Sequence, residues 1–258
     1  MPDTAPSRYN VVPAATIVVF RHGLPGTAPE LLMLERTKKM RFAAGAAVFP
    51  GGRIDPADRE LAARLEPGAK DPDDAAARVA ALRETLEEAG LALGIRQAVS
   101  AEEAAAARAL LLERGALAAV LERHRWTLDL DVLVPFARWC PDWDGAFDTR
   151  FYLTDLRTGA VELAADATEN TRLFWASATE TLAMADRGDV SILFPTRRNL
   201  ERLEKFDNFA AACAECSAIA PRIITPYRED RDGVVHLAIP GDLGYPVTSQ
   251  PVDTVRRG

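Results

Sequence analysis

Long apolar runs are missing from this 258-residue chain. Its best early run, residues 14–20 (AATIVVF), has only the length of a strand, whereas a bilayer-crossing helix needs about 20 apolar residues. The first ten residues hold Pro, Asp, Thr and Ser and no apolar stretch that reads as a secretory signal. The final Arg-Arg-Gly is neither a peroxisomal nor a prenylation signal. A soluble, cytoplasmic protein with no membrane partner is therefore expected. Cysteine is scarce as well: Cys140, Cys213 and Cys216 are too few and too odd in number for a disulfide scaffold. Cys213 and Cys216 form one CxxC with no second pair or paired histidine nearby, and a structural zinc site takes four ligands. They read as two small residues on one face of an alanine-rich helix. His22, His124 and His236 share no ligand spacing, and neither a GxSxG elbow nor a Walker loop is present. Positive charge is in deficit, with 31 Lys and Arg against 38 Asp and Glu, a net charge of −7. That excludes a general nucleic-acid binder, which needs a cationic face. An anionic small molecule must be met here by a local basic patch or by metal ions.

What is present is an ordinary soluble balance, 48% hydrophobic and 27% charged. The length suits one domain over 1–258 with sizeable insertions. Strand character is read at residues 14–20, 31–35, 46–49, 128–137, 149–155 and 173–175. Helical character is read at 74–89, at 101–125 with a break near Gly115, at 179–187 and at 196–218. Residues 55–74 read as polar turns, with Asp71 or Asp73 capping the helix that follows. Residues 221–246 read as turns and short strands. The mixture predicts an α+β fold, a mixed β-sheet sandwiched between helices (α/β/α), with an added helical lobe at about 96–126.

The stretch that carries chemistry is Arg83-Glu84-Thr85-Leu86-Glu87-Glu88-Ala89-Gly90-Leu91. On a helix, residues three and four apart share a face, so Glu84, Glu87 and Glu88 project together. Three carboxylates that close repel one another unless a cation sits among them, and hard divalent cations prefer oxygen ligands. A solvated acidic helix face is the plain alternative. Upstream, Phe49-Pro50-Gly51-Gly52 places two glycines at the end of a strand, where the backbone can approach a metal or a phosphate closely. Asp58 lies six residues past Gly52. Arg36, Lys38, Lys39, Arg41 and Arg53 bracket that turn and form the best basic patch in an acidic protein.

Together these residues resemble the Nudix box: Gly, five residues, Glu, seven residues, then Arg-Glu-U-x-Glu-Glu-x-Gly-U, with U bulky and apolar. Gly52 takes the first place, and Arg83-Glu84, Glu87-Glu88 and Gly90-Leu91 match in register. Asp58 stands where the pattern has Glu, and Thr85 stands at an apolar place. The gap between Asp58 and Arg83 holds 24 residues, so residues 59–82 carry an insertion inside the box. Further runs resemble the coenzyme A diphosphatases of peroxisomal type. They are Val48-Phe49-Pro50-Gly51-Gly52, Pro135-Phe136-Ala137-Arg138-Trp139, Phe147-Asp148-Thr149-Arg150-Phe151 and the tail LAIPGDLGY at 237–245. A basic motif of that group is followed by Arg36, Arg41 and Gly45, with the interval from Arg36 to Arg41 one residue short.

The resemblance implies a Nudix fold and hydrolysis of a diphosphate linkage with Mg²⁺ or Mn²⁺. The substrate it implies is coenzyme A or an acyl-coenzyme A, cut to 3′,5′-ADP and a 4′-phosphopantetheine species. NADH, ADP-ribose or a nucleoside triphosphate is the alternative substrate, and a non-catalytic nucleotide-binding regulator is the alternative class. In the implied site Gly51 offers a carbonyl to metal, and Glu87 and Glu88 are ligands. Glu84 is a ligand or the base, and Arg83 orients a carboxylate with Asp58 as partner. Glu169 is a candidate outer ligand. Arg36, Arg41, Gly52 and Arg53 are candidate substrate contacts. Monomer and homodimer both remain open.

Overall fold

The computed structural model describes residues 9–24, 26–37, 45–156 and 170–255. In chain order the strands are β1 (Val12–Arg21), β2 (Glu30–Arg36), β3 (Ala47–Val48), β4 (Gly51–Arg53), β5 (Val134–Trp139), β6 (Phe147–Asp155), β7 (Asn170–Ser177), β8 (Ile223–Ile224), β9 (Tyr227–Arg231), β10 (Val234–Ala238) and β11 (Ser249–Pro251). The α-helices are α1 (Pro56–Leu65), α2 (Pro72–Ala89), α3 (Ala101–Arg114), α4 (Leu117–His124), α5 (Ala178–Arg187), α6 (Phe194–Leu203) and α7 (Phe209–Ala218). None of the described helices is long and apolar enough to cross a membrane.

β1 is apolar nearly throughout because both of its faces are covered. Ala15, Ile17 and Val19 join a buried cluster with α1 to α4, while Val18 and Phe20 join another with α5, α6 and α7. Alternate side chains of a strand point to opposite faces, so this division places the sheet between two helical layers. The α+β expectation of a mixed sheet between helices holds. β1 runs parallel to β6 from Val12↔Phe147 to Phe20↔Asp155. Its other edge pairs antiparallel with β4 at one end and with β2 at the other. β2 also pairs with β3 and β7, β6 with β5, and β5 with β8. A separate three-stranded sheet runs β11-β10-β9.

α2 is the helix that carries the box glutamates. Asp71 caps it by accepting the Asp74 N–H, Pro72 begins it, and Gly90 ends it at φ 73°, a left-handed conformation that costs glycine little. Ala76, Ala77, Ala80 and Ala81 are fully buried on it, so small side chains let the helix lie close to the sheet. α3 and α4 add Ala107, Leu111, Leu117, Val120 and Leu121 to the α2 cluster, and Gly115 breaks them apart at φ 66°.

Three expectations are corrected. Residues 55–74 are not only turns, since α1 lies inside them. It starts with Pro56 at its first turn, and Asp58 accepts the Asp55 N–H at 2.9 Å. Residues 196–218 are two helices rather than one, because the chain leaves α6 at Leu203 and Asn208 caps α7 afresh. Residues 128–137 begin with a 3₁₀ turn at Leu130–Val132 before β5.

Candidate active site

The buried guanidinium of Arg83 organises the fourth turn of α2. Its side chain is 5% exposed and that of Asp58 is 1% exposed. Arg83 donates to both carboxylate oxygens of Asp58, each at 2.9 Å, a bidentate pair of the strong kind. It also donates to the Arg53 carbonyl at 2.9 Å and to Glu84 Oε1 at 2.9 Å. Glu87 approaches the same guanidinium at 3.5 Å. Burial works against the Arg83 charge, yet the hydrogen bond to Asp58 and the negative charges of Glu84 and Asp58 carry its pKa above the usual arginine range. Asp58, accepting from Arg83 twice and from the Asp55 amide once, is fully partnered although buried.

The glycine turn closes on the other side of α2. The Gly51 N–H donates to Glu88 Oε2 at 2.9 Å. Gly51 sits at φ 155°, and a Cβ there would come within 2.7 Å of the Thr16 Cα and closer still to the Ala15 carbonyl oxygen. A Cβ on Gly52 would fall inside the van der Waals envelope of the Glu84 carboxylate. Glu84 is thus pressed against bare backbone. Burial, opposed by the Arg83 charge and aided by the neighbouring Glu87, raises its pKa to about 7.

The remaining expected residues scatter more widely. Arg36 ends β2, where its N–H donates to the Ala46 carbonyl at 3.0 Å, beside the segment that runs into the glycine turn. Arg53 is exposed, with its guanidinium 5.7 Å from the Phe147 ring centroid. Lys38, Lys39, Arg41 and Glu169 lie outside the described residues. One residue was not singled out from the sequence: Arg108 of α3 donates through Nε to the Glu87 carbonyl at 2.8 Å. Nothing in its alanine-rich surroundings distinguishes it from a solvated arginine.

The donor set suits a hard divalent cation. It offers carboxylates within five residues of one helix, only oxygen atoms, and an adjoining backbone stripped of side chains at Gly52. Among the described residues no three carboxylate, imidazole or thiol groups already converge on one point. Glu84 and Glu87 lean on Arg83, and Glu88 on the Gly51 amide. The Gly51 contact that the structure records is its N–H, not its carbonyl.

Over 81% of its length the chain is similar to the crystal structure of a Nudix hydrolase from Alicyclobacillus acidocaldarius. The identity is 32%, 97% of that chain is covered, and the TM-score is 0.68. With a glycine turn and a glutamate-bearing helix already in contact, that likeness is decisive: the chain belongs to the Nudix hydrolase family. More distant is a MutT protein from Methanosarcina mazei Go1, at 12% identity, 77% and 96% coverage and TM-score 0.43. The Nudix domain of Shewanella oneidensis NrtR complexed with ADP-ribose stands at 13%, 78% and 90%, and 0.38. No protein-family model matches the chain.

Proposed function

We propose that this Nudix hydrolase cleaves the diphosphate of coenzyme A or an acyl-coenzyme A, with Mg²⁺ or Mn²⁺ held by Glu84, Glu87, Glu88 and the Gly51 carbonyl. The observation that carries the site is the contact of the Glu84 carboxylate with the bare backbone at Gly52. It sets an oxygen-rich helix face directly against backbone that carries no side chain, the setting a metal-bound diphosphate would need. The substrate reading is supported by the runs that resemble coenzyme A diphosphatases, and by the basic residues Arg36, Arg41 and Arg53 around the turn.

When bound, the cation would neutralise phosphate oxygens and lower the pKa of an attacking water. The protein's own part is positional. Asp58 locks Arg83, and Arg83 fixes one oxygen of Glu84. The Gly51 amide fixes one oxygen of Glu88. Carboxylates so held lose little freedom on taking a metal. In this reading Glu84, largely buried, serves as a ligand or as the base that receives the water proton.

Glu87→Gln and Glu88→Gln test the ligand assignment, since each keeps size and removes one charge. Turnover at saturating Mg²⁺ is expected to fall about a hundredfold or more, with the fold kept and like-charge repulsion relieved. Near-normal turnover in both variants would overturn the assignment.

A further inference from the structure

We propose that the free edge of β9 is a self-association surface, on which two copies of this chain pair antiparallel about a two-fold axis through Glu229. β9 lies at the border of the three-stranded sheet, with β10 on one side and no described strand on the other. Tyr227, Arg228, Asp230 and Arg231 are all exposed.

The hairpin fixes which backbone groups face outward. Asp232 and Gly233, at φ 53° and 81°, form a two-residue turn of the type that suits twisted strands. The Arg231–Val234 pair closes it. In an antiparallel ladder, hydrogen-bonded and non-bonded pairs alternate. The main-chain groups of Arg231, Glu229 and Tyr227 therefore point to β10, and those of Arg228 and Asp230 point out of the sheet.

The side chains match that pattern. With Glu229 on the axis, Arg228 of each copy lies opposite Asp230 of the other, and these are the residues whose amides and carbonyls face no strand among the described residues. The pairing makes four main-chain hydrogen bonds and two arginine–aspartate pairs across the strands, a favourable arrangement. The facing Glu229 side chains are each ion-paired to Arg231 of their own strand. Tyr227, 47% exposed, meets Arg231 of the other copy, a cation–π arrangement. Sliding the register by two residues sets Arg228 against Arg228 or Asp230 against Asp230, and sliding by one breaks the hydrogen-bond alternation. A charged edge usually repels other strands; this one is complementary to itself.

Sedimentation of the full chain at about 10–200 µM and low salt tests this, because a dimer's population follows concentration. A concentration-dependent dimer is expected. Arg228→Asp and Asp230→Arg should each weaken it at least about tenfold by setting like charges opposite. The double variant should recover it with charges exchanged. The Asp230 side chain also accepts the Gly233 N–H at 2.9 Å. That bond is kept in Arg228→Asp and lost in both Asp230→Arg and the double variant, so recovery of the double variant over Asp230→Arg isolates the contact between copies. A wild type that stays monomeric, a dimer unaffected by Arg228→Asp, or a double variant that stays as weak as the singles would each overturn the proposal.

Discussion

Glycine is needed at residues 51 and 52 for different reasons, and one substitution separates them. At Gly51 the methyl group of alanine meets the backbone of Ala15 and Thr16 in the neighbouring strand, which cannot yield without shifting β1. Gly51→Ala should therefore cost about 2 kcal/mol or more of stability, read by chemical denaturation. At Gly52 the atoms nearest the methyl belong to the tip of the Glu84 side chain, which yields more readily than backbone. Gly52→Ala should leave stability within about 1 kcal/mol of wild type and lower kcat/KM at least about tenfold by displacing Glu84. A Gly52→Ala protein with full activity would disconnect Glu84 from turnover. Asp58 gives a third case, because removing it strands a buried arginine. Asp58→Ala should cost about 3 kcal/mol, the low end for a broken buried pair, since Glu84 still faces Arg83. Unchanged unfolding in Asp58→Ala would contradict the pairing. The resemblance of Gly52, Asp58 and Arg83 to the Nudix box made that pair legible in the sequence. The Gly51 amide bond to Glu88 was not, because it depends on how β4 docks against β1.

The helix α2 was legible because its signals are local: an aspartate cap and a Gly stop on either side of a long alanine-rich run. α1 was hidden because its Asp55-Pro56 start also reads as a turn, and because Asp58 replaces the glutamate usual in a capping box. Its two buried apolar residues, Leu61 and Ala62, form too short a stripe to reveal a helix by period. The break between α6 and α7 was missed because Asn208 caps the second helix only once the chain has turned. The contact between α3 and α2 was beyond reach for another reason: Arg108 meets a carbonyl 21 residues away. That bond ties the helical lobe to the end of the helix that carries Glu87. Arg108→Ala should cost about 1–2 kcal/mol, seen as a melting midpoint a few degrees lower. A midpoint equal to wild type would show that the lobe is held by its apolar contacts alone.

At the scale of the molecule, the sheet does two things at once. Its inner strand β1 shares side chains with both helical layers, so neither layer keeps its packing without the other. Its edge toward β4 presents the glycine turn to α2. The resemblance runs 135–139 and 237–245 also meet in space. Trp139 Nε1 and the Tyr245 hydroxyl both donate to Asn199 Oδ1, at 3.3 and 2.8 Å. Arg202 donates to the Phe136 carbonyl at 3.0 Å. Those runs therefore serve the packing of α6 against β5, a role that motif reading alone did not reveal. The substrate was the least legible property, because Lys38, Lys39 and Arg41, the basic residues expected to contact it, lie outside the described residues. The most direct measurement is incubation of the wild-type protein with coenzyme A and Mg²⁺, beside 3′-dephospho-coenzyme A and a chelated control, with products identified by mass. The expected result is Mg²⁺-dependent release of 3′,5′-ADP and 4′-phosphopantetheine, with coenzyme A preferred about tenfold or more, one charge-assisted contact to the 3′-phosphate. Intact coenzyme A after exhaustive incubation, with NADH, ADP-ribose or a nucleoside triphosphate cleaved instead, would contradict it.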